Sequence, residues 1–146
     1  MYYGEGKCGG CKPIKEEYRL VKDPDDLYRL LSCCWNEKTC APRFRGKWSA
    51  KNMTLGQCSI TSFLVQDIFG GKVYGINLPN GAIHCFNVVD EFTFDLTSEQ
   101  FGDEKLDYSS TTEQFRESEH HFGNGEKKAR YELLKSLLKA ELGAYV

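Results

Sequence analysis

The sequence predicts an α+β fold in which a helix beginning at a cysteine packs on a small antiparallel sheet. Three observations carry this. Cys58 opens an amphipathic run, Cys58-Ser-Ile-Thr-Ser-Phe-Leu-Val-Gln-Asp-Ile-Phe69, with Ile60, Phe63, Leu64 and Ile68 at helical spacing. Three strand-like stretches follow in succession, 72–78, 82–89 and 92–96, separated by the turn clusters Pro79-Asn80-Gly81 and Asp90-Glu91. A last apolar-periodic run, with Ala129, Leu133, Leu134, Leu137, Leu138 and Leu142, predicts a helix from Glu126 to about Leu142.

The earlier elements follow from local signals. Residues 1–22 are rich in Gly and Lys and lack periodicity until Tyr18, Leu20 and Val21, which sets them apart as an N-terminal tail from a single α+β domain over 23–146. Asp23 can cap a helix whose first turn holds Pro24, Asp25 and Asp26, and Leu27, Leu30, Leu31 and Cys34 continue it as a buried stripe to about Asn36. Residues 37–53 read as irregular and basic. Thr54 offers a cap for the Cys58 helix, and Gly70-Gly71 ends it. Beyond the strands, short helical pieces are expected at Ser98–Phe101 and Thr112–His121, with a break at Gly123-Asn-Gly125. Trp35, Trp48 and Tyr74 read as core, and His120-His121 as a solvated helix end.

With 146 residues and a net charge of −2, the chain is long enough for a real core and carries no bulk attraction to nucleic acid. Residues 1–58 hold 11 basic and 7 acidic side chains, and residues 59–146 hold 8 and 14, which permits at most a modest positive patch. No apolar run approaches the roughly 20 residues that span a bilayer, and the N-terminus lacks the shape of a signal peptide, so a cytosolic protein without membrane or nucleic-acid partners is expected. Seven cysteines in a reducing compartment read as core residues, metal ligands or nucleophiles rather than disulfides.

Covalent chemistry is suggested by one constellation, Cys58, His84 and Asp95. A tight turn at Asp90-Glu91 sets His84 opposite Thr97 and Phe86 opposite Asp95, so His84 and Asp95 share a sheet face as diagonal neighbours. A one-residue slip would separate them. A helix N-terminus and an imidazolium both favour the thiolate of Cys58; His84 would move the proton and Asp95 would fix its tautomer. The backbone N–H of Cys58 and the side chains of Asn52 and Gln57 are candidates for oxyanion or substrate contacts. The bland alternative is a buried structural cysteine beside a structural histidine, in a binding or regulatory module. The Cys8-Gly-Gly-Cys11 knuckle leaves a zinc option open, with Cys34 and Cys40, or Cys33, as further ligands; otherwise no cofactor is expected.

The thiol-His-Asp chain order is similar to that of the transglutaminase-like branch of papain-type enzymes. The stretch Trp48–Gly71, with its Gly56-Gln57-Cys58, Val65-Gln66-Asp67 and Gly70-Gly71 steps, resembles the YunG-like family of small proteins, as do His84-Cys-Phe-Asn87 and Phe94-Asp-Leu-Thr-Ser-Glu-Gln-Phe101. The resemblance covers roughly residues 25–140. It implies a papain-like or transglutaminase-like core and marks Cys58, His84 and Asp95 as the site, and through it Asn87 joins Asn52 and Gln57 as a nearby candidate for oxyanion or substrate contacts. Asn52 is similar in spacing, though not in type, to the oxyanion-hole Gln of papain-type enzymes. The implied reaction is hydrolysis or acyl transfer at an amide, isopeptide or thioester carbonyl of a peptide or other small amide substrate.

Overall fold

The structure is a computed structural model that describes residues 1–144. It is an α+β fold with three helices, α1 (Pro24–Ser32), α2 (Cys58–Phe69) and α3 (Gly125–Gly143), and one antiparallel sheet. The strands are β1 (Lys72–Asn77), β2 (Ile83–Val89), β3 (Phe92–Phe94) and β4 (Thr112–Gln114), in the order β3-β2-β1-β4.

Helix α1 starts as its sequence dictates: the Asp23 carboxylate accepts the Asp26 N–H at 2.8 Å, and Leu27, Leu30 and Leu31 are buried. It stops at Ser32, four residues before the expected end. Two turn bonds then carry the chain to Trp35, whose ring is buried and whose Nε1 donates to Thr61 Oγ1 at 2.9 Å. Trp48 and Tyr74, also expected in the core, are half-buried.

The start of α2 differs from the expected Thr54 cap. Gly56 sits at φ +71°, in the left-handed region, so no helix can run through it. The helix begins at Cys58, with Gln57 preceding it and making no side-chain cap. A Cβ at Gly56 would lie 2.7 Å from Cys40 Sγ and 2.9 Å from Ala41 N, so the bend and the close packing both require glycine. Gly70 and Gly71, at φ +80° and +74°, end the helix and turn the chain into β1.

The register that aligns the site is as the turn demands: Asn87 pairs with Phe94, Val88 with Thr93 and Val89 with Phe92. Cys85 and Asn87 face α2, where Asn87 Nδ2 donates to Ser62 O at 2.9 Å. By the pleat, His84 and Phe86 face the other way, and Phe86 meets Tyr108 edge-on with ring centroids 4.9 Å apart.

Two segments depart from expectation. Residues 112–114 are an edge strand beside β1 rather than the start of a helix, and turns follow to residue 124. Residues 1–22 pack on the domain rather than trailing as a tail, because Tyr2, Cys8, Cys11, Tyr18 and Val21 are all buried in the common core. Tyr3 adds a bridge to the sheet: Asp95 N–H donates to Tyr3 O at 2.9 Å, just past the end of β3. Among the described residues, no helix is long and apolar enough to cross a membrane.

Gly56→Ala tests the bend before the thiol. It adds a left-handed alanine and a sulfur clash, and urea unfolding is expected to show a loss of about 2–3 kcal/mol. A loss below about 0.5 kcal/mol would mean the backbone at Gly56 is not left-handed.

Candidate functional site

Asp95 and His84 form a fully buried pair. Each side chain is 1% exposed, and His84 Nε2 lies 2.6 Å from Asp95 Oδ2. The carboxylate is otherwise well served. Thr97 N–H and Thr97 Oγ1 donate to Oδ1 at 3.2 and 3.3 Å, and Tyr108 OH donates to Oδ2 at 2.8 Å. An acceptor so placed takes the Nε2–H of His84 and fixes that tautomer. Tyr108 is itself positioned by Tyr3, whose ring stacks on it with centroids 3.9 Å apart. Phe101 meets the imidazole edge-on at 4.7 Å.

The opposite nitrogen, Nδ1, is buried and has no hydrogen-bond partner among the described residues. Cys58 is the first residue of α2; its sulfur lies 4.0 Å from Ile83 O at the start of β2 and 3.9 Å from Ser59 Oγ, on the cavity that His84 also lines. The Cys58 thiol is held well below the usual range. The hydrogen bond from the Cys85 thiol contributes most, burial opposes it, and the hydrogen bond and charge of His84 add to the lowering. Burial presses the His84 pKa down, but the Asp95 charge and hydrogen bond, with the Cys58 thiolate, outweigh it and push it up to about 10. The Cys85 thiol is driven well above its usual range, first by its bond to Cys58 and then by burial, so of the two sulfurs Cys58 is the one favoured as thiolate.

The first turn of α2 adds donors. Its first helical bond runs from Thr61 N–H to Gln57 O, which leaves the amides of Cys58, Ser59 and Ile60 in the unbonded first turn. Cys58, Ser59 and His84 line a cavity of about 650 Å³, walled opposite by residues 41–44 and by the start of α3.

Three sequence candidates are not in that cavity. Asn52 sits in a turn bridged to Ser49 and is directed elsewhere by the bend at Gly56. Gln57 is fully buried and donates through Nε2 to Asn36 O at 3.1 Å. Asn87 is buried against α2, where its amide ties the strand to the helix. They hold the frame rather than touch the cavity. The cysteine tetrad Cys8, Cys11, Cys34 and Cys40 is not assembled either. Among the described residues no group of three or more His, Cys, Asp or Glu side chains is placed to hold a metal ion. Cys8, Cys34 and Cys40 donate to backbone carbonyls, and burial pushes the Cys11 and Cys34 thiols up to about 12. Cys33 is exposed.

The site also contains residues that the sequence reading passed over. Cys85 lies in the His84–Asn87 stretch without a role assigned to it, and Tyr108 carries no motif; the fold brings both in. His121, expected to be solvated, is 1% exposed and lines the cavity, and it lies in a turn rather than a helix. Burial first, and then Lys127, depress its pKa to about 4, so it is neutral.

The fold and site define an α+β protein with a cysteine set at a helix start, on a cavity shared with a buried His–Asp pair. A family model described as "YunG protein" matches residues 23–143, and the chain belongs to that family. A stretch of 55 residues is 34% identical to the uncharacterised protein YunG of Bacillus subtilis (strain 168), covering 38% of this chain and 47% of that protein. The match thus spans about half the length of the relative. No solved structure matches the chain.

Tyr108→Phe keeps the ring stack and removes the phenol from the carboxylate. Urea unfolding is expected to show a loss of about 1–2 kcal/mol, the range for a hydrogen bond to a charged group in a partly buried place. Unchanged stability would mean that Asp95 does not depend on Tyr108.

Proposed function

We propose that this protein is a cysteine-dependent hydrolase or acyltransferase acting on an amide, isopeptide or thioester bond, on a core resembling the papain-like and transglutaminase-like thiol enzymes. Cys58 is the nucleophile, His84 the acid and base, and Asp95 the group that orients His84. One observation carries the reading. His84 is gripped through Nε2 by Asp95 at 2.6 Å, its Nδ1 is left without a partner among the described residues, and it shares the wall of a cavity of about 650 Å³ with a thiol at a helix N-terminus.

The chemistry follows from that arrangement. The Cys58 thiolate attacks the carbonyl carbon, forming a C–S bond and moving the π electrons onto oxygen. First-turn amides of α2, including Cys58 N–H, are placed to receive this oxyanion. As the intermediate collapses, the bond to the leaving amine or thiol breaks, and the His84 imidazolium supplies the proton that the departing group takes. His84, now neutral, accepts a proton from water or from an acceptor amine as it attacks the thioester. The acyl group leaves on that nucleophile, and the Cys58 thiolate and His84 imidazolium are restored.

A binding or regulatory module with a structural Cys58 is the rival from a different class. Its signature would be a sealed, ordinary thiol, whereas Cys58 lines an open cavity and its neighbours favour the thiolate.

Alkylation separates the two. With its thiol pKa lowered, Cys58 is expected to keep its rate with iodoacetamide better than an ordinary thiol as pH falls from about 8.5 to 6. The exposed Cys33 serves as the reference for an accessible thiol. At pH 6 Cys58 should label about tenfold faster than Cys33 or more. His84→Ala should remove that low-pH reactivity, and Asp95→Asn should weaken it less. A folded protein in which Cys58 resists label at pH 6 while Cys33 labels normally at pH 8.5 would establish the structural thiol and the module.

A further inference from the structure

The far wall of the Cys58 cavity is cationic, and its charges are unequally committed. Arg43, Lys127 and Arg130 line it, against one acidic residue, Glu126. Arg130 is 7% exposed and is spent. Its Nε donates to both Glu126 oxygens at 3.0 and 2.9 Å, and its NH1 donates to Thr39 O at 3.1 Å. Glu126 also takes Arg45 at 3.6 Å. Among the described residues, Arg43 and Lys127 have no carboxylate partner within 4.0 Å. Arg43 is exposed and lies over the Phe44 ring, 4.8 Å from its centroid. Lys127 Nζ donates to His120 O, a neutral acceptor. Burial depresses its pKa, and the negative charge on Cys58 acts to restore it, as a further anion beside the ammonium would.

A second observation points to a ligand. His121 Nε2 lies 2.9 Å from Gln114 Oε1, and Gln114 Nε2 donates to Thr112 O at 3.0 Å. That chain makes the Gln114 oxygen an acceptor and puts the proton of His121 on Nε2. His121 Nδ1 is therefore an acceptor, buried and without a partner, on a cavity-lining residue 1% exposed. An unpaired buried acceptor is costly, and a donor brought by a ligand would satisfy it.

We infer that the substrate of Cys58 carries a carboxylate, which docks between Arg43 and Lys127, with an N–H or O–H donor beside it for His121 Nδ1. This rests on Cys58 being a reactive thiol and goes beyond it by naming the substrate class: an acyl compound with an acidic end, such as an amide of an amino acid that keeps a free carboxylate. Two nearby cations in a partly enclosed cavity attract an anion more strongly than they would in open water.

Paired alkylating agents test it on the full chain. Iodoacetate and iodoacetamide deliver nearly the same carbon to sulfur, one with a carboxylate and one with a neutral amide. The ratio of their rates at Cys58 divides out the thiolate fraction. In the unaltered protein that ratio should exceed the ratio at exposed Cys33, and it should fall as salt rises. Part of the excess comes from the His84 imidazolium, so the variants decide. Arg43→Gln and Lys127→Gln, both outside the core, should each lower the ratio about fivefold, and the double change should bring it close to the ratio of the salt-screened protein. A ratio unmoved by either substitution, with fast iodoacetamide labelling at pH 6, would overturn the carboxylate site and leave the thiol enzyme standing. Failure of Cys58 to react with either reagent, while Cys33 reacts with both, would overturn both readings.

Discussion

The buried contact between His84 and Asp95 is the constraint around which the site is organised. Removing a carboxylate from water costs several kcal/mol unless its lone pairs are met. Here the two oxygens are met by Thr97 N–H, the Thr97 and Tyr108 hydroxyls and His84 Nε2. Each of these donors needs something else to be in place. Tyr108 needs the stack with Tyr3, and Asp95 needs the Tyr3 carbonyl just past the end of β3. The N-terminal segment is thus tied into the site through one carboxylate. The family match begins at residue 23, so this support comes from residues outside the matched region. A well-packed apolar pair would serve stability as well as a buried ionic one. The arrangement makes most sense as a way to hold one face of an imidazole still while leaving the other face to a thiol.

That imidazole explains why one cysteine behaves unlike its neighbours. Burial raises Cys8, Cys11, Cys34 and Cys40, and Cys85 is raised by its bond to Cys58 and by burial. Cys58 is subject to the same desolvation, yet it is lowered, because the neighbouring Cys85 thiol and the charge of His84 favour its ionised form. Cys85 is a co-determinant here: a protonated thiol beside a thiolate works as a donor, and its own titration is deferred to do so.

The strand register and the Cys58 helix were legible because they rest on local rules. Asp90-Glu91 sets the turn, and period-two patterning does the rest, which is enough to put His84 and Asp95 on one face. What was not legible has physical causes. Thr112-Glu-Gln114 is a polar edge strand of three residues, with no apolar alternation to announce it. His121 looked like surface because its neighbours in sequence are polar, but the turn after β4 folds it under Phe63, with ring centroids 4.9 Å apart. The first 22 residues carry no helical or strand period because aromatic side chains, not regular structure, fix them; Tyr2 stacks on Tyr28 at 4.9 Å and donates to Asp25. Asn52 and Gln57 lie near Cys58 along the chain, but the left-handed Gly56 makes nearness in sequence a poor guide to direction in space.

The cavity wall shows how the same fold can leave charge unspent without losing order. Asn124 Oδ1 accepts the N–H groups of Glu126 and Lys127, which fixes the first turn of α3 and with it the root of the Lys127 side chain. Arg130 and Arg45 then bind the helix to the 37–45 loop through Glu126 and through the carbonyls of Thr39, Glu37 and Lys38. One carboxylate and a few backbone carbonyls are enough to join these two elements. Because that task falls to Arg45 and Arg130, Arg43 and Lys127 are held near the thiol by a rigid frame yet are not neutralised by it. If all four cations had been matched by carboxylates, the wall would be no less stable, but an anion entering beside Cys58 would meet no net positive field. The division between cations that build the wall and cations that face the cavity separates the stability of this region from its capacity to select a ligand.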